Sequence, residues 1–165
     1  MTKQFIATIC ILGLVGMVVG VAVKGATEAP VTATVTVQNI SVTVTDGTVA
    51  YGTLAVNTTK STLVGELADL QTATNNGNIT ENFNIRGTDS GTWTLGAVAG
   101  SNVYVHRFST NSGTTWTALT TPGYLTLATT KAVGGTQTFD LQITTPTVSA
   151  DYIEHSVNVT VQATI

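Results

Sequence analysis

His106 and His155 are the only imidazoles in the chain. Imidazole is the side chain whose ordinary charge change falls near neutral pH, so a general base or metal ligand is sought there first. His106 alternates with Tyr104 and Phe108, which places the three on one face of a strand and marks His106 as a surface or rim residue. Glu154 stands beside His155, but neighbouring strand residues point to opposite faces, so a structural role is expected for both histidines. Asp89, Asp140 and Asp151 would make a calcium site only if loops gathered them. They form no Asp-x-Asp cluster, and turn capping is the expected role. No His-Glu-x-x-His, Gly-x-Ser-x-Gly, phosphate-loop or EF-hand spacing occurs. The single cysteine, Cys10, lies inside an apolar run, so the rest of the chain has no thiol nucleophile, thiolate metal site or disulfide. The expectation is a non-enzyme with no catalytic residue, no cofactor and no metal.

Two softer constellations remain. Trp93, Trp116, Tyr51, Tyr104, Tyr124 and Tyr152 supply either a sugar-stacking platform or aromatic core, and core is the expected use. Four Asn-x-Ser/Thr sequons occur, at Asn39, Asn57, Asn78 and Asn158. Asn57 and Asn78 fall in expected loops and are the two candidates for a glycan.

The elements that must position these groups follow two periods. Phe5 to Val23 is one unbroken apolar run after Lys3, the pattern of an export signal or a retained N-terminal membrane anchor. Small residues from Gly20 to Ala26 place a cleavage site so that the mature chain begins between Val23 and Thr27. Residues 1–26 are therefore read as leader and 27–165 as one β-sandwich domain. The C-terminus shows no second apolar segment, so the membrane is reached only through the leader.

Beyond the leader the chain alternates. Val31, Ala33, Val35 and Val37 share one parity, with Thr32, Thr34 and Thr36 between them, which predicts a strand. The phase flips at Gln38-Asn39, where Ile40, Val42 and Val44 take over; a bulge or a crossing between sheets is expected. Asp46-Gly47 predicts a hairpin into a strand over 48–54. Further strands are expected around 67–74, at Phe83 and Ile85, at Trp93 and Leu95, over 102–110, 115–120 and 124–129, at Phe139, Leu141 and Ile143, and over 157–165. This makes about nine antiparallel strands in an all-β sandwich. Its core is predicted at Phe83, Ile85, Trp93, Phe139, Leu141, Val157 and Val159.

Composition agrees with an exported domain. Only 9% of residues are charged, against roughly 25% in ordinary soluble domains. Threonine, about a fifth of the chain, takes their place and suits the wet face of strands. After the leader, four cations face nine acids, a net −5, which speaks against nucleic acid and anionic lipid as partners.

Three segments give the chain a family likeness. They are Tyr51-Gly52-Thr53-Leu54 through Thr59, Asn75-Asn76-Gly77-Asn78 followed by Phe83-Asn84-Ile85, and Phe139 to Pro146 with Val157 to Val161. In these the chain resembles the immunoglobulin-like sandwich domains of prokaryotic cell surfaces and fibres. Trp93-Thr94-Leu95 is also similar to the Trp-x-Leu element of a cell-wall-binding family. That family carries a second copy near its C-terminus, where this chain has Val159-Thr160-Val161. The resemblance implies an Ig-like fold and a secreted or surface location.

Two functions fit. The first is a structural subunit of a fibre, pilus or coat that self-associates by strand addition, with Val31, Ala33, Val35 and Val37 as the assembly strand. It rests on their low charge, the phase break, and the likeness of Thr34-Val35-Thr36-Val37-Gln38 to Asn158-Val159-Thr160-Val161-Gln162. The second is a monomeric adhesin or a cell-wall or glycan binder.

Overall fold

Alternating Thr and Val residues form a strand only where another strand satisfies their backbone, and the chain meets that condition unevenly. The computed structural model describes residues 27–165. The leader, its cleavage site and Cys10 lie outside the described residues. Contacts divide the chain into Met1–Val35 and Thr36–Ile165.

The second unit is all-β. Its strands are β1 (Val42–Thr45), β2 (Thr59–Ser61), β3 (Gln71–Asn75), β4 (Glu81–Arg86), β5 (Thr94–Leu95), β6 (Val103–Ser109), β7 (Thr117–Ala118), β8 (Leu125–Lys131), β9 (Thr136–Thr144) and β10 (Thr160–Thr164). The larger sheet runs β1-β3-β9-β6-β5, with β2 also on β9 and β7 on β6; the smaller runs β10-β4-β8. The two form a β-sandwich-like pair of layers. Ten strands are described rather than nine. The arrangement is not wholly antiparallel either, since β5 runs parallel to β6.

The core follows the period of two. Phe83 and Ile85 of β4 and Leu127 of β8 pack with Ala73, Phe108, Phe139 and Leu141 from the larger sheet. Each full burial of such a side chain contributes about 1.5–3 kcal/mol. Val159, Val161 and Ala163 pack at the margin of this cluster. Trp93, Val157 and Val159, expected in the core, are only partly buried.

Turn chemistry closes the layers. Asp46 (φ 71°) and Gly47 (φ 68°) are both left-handed, as the expected tight turn requires. The returning strand expected over 48–54 does not form: β1 pairs with β3 alone, and no described strand includes residues 48–54. Residues 48–56 instead line a cleft. In the Asn75–Asn78 turn, the Asn75 amide donates to Ile79 O at 2.8 Å and Lys131 O at 2.9 Å, and its oxygen accepts from Gly77 N at 2.8 Å. Gly77 is required there: a Cβ would lie 2.1 Å from Glu81 Oε1 and 2.4 Å from Asn39 O.

The strand expected over Val31–Val37 is not found. No described strand includes these residues. Their alternation equips them for a ladder, but no described strand supplies the backbone partner that a ladder needs.

Candidate functional site

A cleft of about 1130 Å³ opens beside the core, lined by Val44 of β1, residues 47–56, Leu141 and Ile143 of β9, and Val159 and Val161 of β10. Two polar clusters border it: Tyr51 with His106, and Trp93 with Asp151 and His155.

His106 corrects the sequence expectation. Its grouping with Tyr104 and Phe108 is right, but that face of β6 points inward. His106 lies opposite Ile143 of β9 and is only 2% exposed. The Tyr51 hydroxyl is 2.9 Å from His106 Nε2, and the two rings meet edge-on at 5.8 Å. His106 Nδ1 is buried with no hydrogen-bond partner among the described residues. Burial pushes the imidazole from its ordinary 6.5 down to about 4, because a charged ring would be stripped of water there. The same burial, and then the charge of Asp69, pushes the Tyr51 phenol well above its ordinary range. A neutral imidazole therefore meets a protonated phenol, a pairing suited to holding residues 48–56 against β6 rather than to moving protons near neutral pH.

The second cluster pins the segment after β9. The Trp93 indole N–H donates to Ser149 Oγ at 3.0 Å. The His155 ring stacks on Trp93 at 4.0 Å with 17° between planes, and its Nε2 is 2.7 Å from Asp151 Oδ1. Thr92 donates to Asp151 Oδ2 at 2.8 Å. The Thr92 hydroxyl, then the His155 contact, hold the Asp151 carboxyl below its ordinary range. Residues 151–158 form no strand, so the rule of opposite faces does not govern His155, which turns to Asp151 rather than away from a neighbouring acid. The Tyr104 ring lies at 6.2 Å from Trp93, on a tilted plane. With His155 stacked and Tyr104 close by, Trp93 is packed as an anchor rather than presented as a sugar platform.

The other acids serve locally. Asp89 Oδ1 accepts from Leu95 N at 2.7 Å and Asp140 Oδ1 from the Thr62 hydroxyl at 3.1 Å. Among the described residues no three His, Cys, Asp or Glu side chains gather into a metal-sized group.

The candidate assembly residues stay in water: Val31 and Val35 are each 92% exposed and Val37 80%. Of the glycan candidates, Asn57 is exposed in a loop at φ 55°. Asn78 is exposed too, but its amide works. It donates to Val37 O and accepts from Asn39 N, each at 2.8 Å. The Tyr51–His106 and Trp93–Ser149 contacts span 55 and 56 residues, and no local pattern announces either.

In comparisons with known proteins, the sequence matches no family model and no curated protein, and the fold matches no solved structure.

Proposed function

We propose that this chain is a non-enzymatic structural subunit of an extracellular fibre, pilus or coat, built on an Ig-like sandwich and self-associating by strand addition. One observation carries the reading. Residues Val31–Val37 have the alternation of a strand, yet none is in a described strand, and Val31, Val35 and Val37 are at least 80% exposed. A row of valines left in water forgoes about 1.5–3 kcal/mol per side chain, and strand addition to another subunit recovers it. The segment also lacks the lysines and prolines that keep free strands from pairing. An exported, surface-held protein is the setting that suits such a subunit.

The cleft favours a second reading, a monomeric adhesin or wall or glycan binder, since Tyr51, His106 and His155 border a space large enough for a small ligand. Sizing and negative-stain microscopy of the exported protein separate the two. Filaments or ladders support the subunit. A clean monomer that retains sugar or wall material supports the binder and overturns the subunit.

A further inference from the structure

We propose that the free edge of β10, with the cleft beside it, receives the Val31–Val37 segment of a second copy as an added strand. The inference rests on the assembly reading and names its acceptor.

Three observations favour β10 over the other edge of its sheet. It pairs with β4 alone, so one side of its backbone has no ladder partner among the described residues. Its sequence, Thr160-Val161-Gln162-Ala163-Thr164, contains no charge, proline or glycine, whereas natural edges are usually blunted by such residues. The competing edge of the same sheet, β8, is blunted: it ends on Lys131, its register with β4 slips twice, and Thr130 is left-handed (φ 51°).

The donor matches this edge in length, charge and face. Six extended residues, Val31 to Thr36, span roughly 20 Å, and the five of β10 roughly 17 Å. Neither Val31–Gln38 nor Val157–Ile165 carries a charge, so two identical copies meet without like-charge repulsion. Thr34–Gln38 repeats the Thr/Val order of residues 158–162. Added beside β10, its valines fall on the face where Val159 and Val161 line the cleft and pack on the core.

A second copy fits better than the segment's own chain. Val37 and Asn39 are tied to Asn78 by three hydrogen bonds, at 2.8, 2.8 and 3.0 Å, beyond the end of β1 where Val42 meets Asn75. The C-terminal end of β10 lies toward that end, since Thr164 pairs with Asn82. To lie on its own β10, the chain would have to reverse just before Val37. Residues 31–37 contain no Gly, Pro, Asn or Asp to make that turn.

Disulfide trapping in the full chain with Cys10→Ser tests the assignment. Single-cysteine proteins carrying Thr34→Cys or Thr36→Cys are mixed with partners carrying Gln162→Cys or Thr164→Cys, all on the outward parity, under mild oxidation. Bridging demands Cα atoms within about 7 Å. Expected are donor–β10 dimers, identified by mass spectrometry and lost on adding Val35→Lys to the donor. Gln162→Lys, at an exposed position that leaves the core intact, is expected to abolish assembly while the protein stays folded. Bridging instead to Thr126→Cys on β8 or Thr43→Cys on β1 overturns the β10 assignment and leaves the assembly reading standing. A bridge formed within one chain carrying both Thr36→Cys and Gln162→Cys also overturns it. A protein that stays monomeric throughout overturns the assembly reading itself.

Discussion

Two stretches of nearly the same composition, Val31–Gln38 and Val157–Ile165, meet opposite fates in this molecule. In the second, Val161 lies opposite Ile85 and Ala163 opposite Phe83 of β4, and both pack on the core. In the first, Val31 and Val35 are each 92% exposed and no described strand contains them. Alternation equips a segment to bury one face. Only a neighbouring backbone edge turns that capacity into structure. The difference between the two stretches is thus a difference of partners: β4 pairs with the second, no described strand pairs with the first, and another copy is the partner we propose for it.

The comparison breaks most visibly at the paired end. Phe83→Ala or Phe139→Ala, each removing a ring at most 2% exposed, is expected to destabilise by about 3–5 kcal/mol in chemical denaturation. Losses well under one kcal/mol at both would mean that the sheets do not pack through these rings.

His106 sets a pH dependence on the same fold. Its folded pKa lies below its ordinary value, from 6.5 to about 4, so between those limits the unfolded chain takes up a proton that the folded chain refuses. Stability is full above about pH 6.5 and falls as pH drops toward 4, by about 3 kcal/mol in all. Denaturant midpoints measured from pH 7.5 to 4.5 should show the decline, and His106→Leu should flatten it. Asp151, whose carboxyl is also depressed, acts in a separate window. Its contribution is kept above its ordinary 3.8 and lost only at more acid pH.

Gly77→Ala is expected to cost about 1–3 kcal/mol, because the new Cβ would meet Asn39 O at 2.4 Å, backbone that cannot move aside cheaply. Asp151→Ala should act more locally. It frees His155 from its 2.7 Å contact, and amide exchange should quicken over 149–156 while global stability barely changes. Exchange left unchanged across that segment would mean Trp93 alone pins it. The smallest expected effect is that of Val35→Lys on the isolated subunit. The residue is almost wholly in water, so unfolding stability should change by less than about 0.5 kcal/mol.

Much of the fold was legible from period alone. Phe83/Ile85 and Phe139/Leu141/Ile143 alternate, and each set lies on the inner face of a strand. Asp46-Gly47 and Asn75–Asn78 turn where their residue types demand. What stayed hidden was set by distant contacts. A period of two groups His106 with Tyr104 and Phe108 but cannot say which face is dry; Tyr51, 55 residues away, helps bury it. Residues 48–54 have the composition of a strand, yet they line the cleft and Tyr51 is tied to His106 of β6, 55 residues away. The segment after Pro146 is held by Trp93 through Ser149 and His155, contacts that leave no periodic trace in the chain.

In the assembly we propose, Val31–Val37 becomes a strand only on meeting another subunit. Light scattering with negative-stain microscopy, comparing the unaltered protein with Val35→Lys, tests it most directly. Filaments or ladders are expected from the first, and folded monomers of equal unfolding stability from the second. Assembly that persists unchanged in Val35→Lys would contradict it.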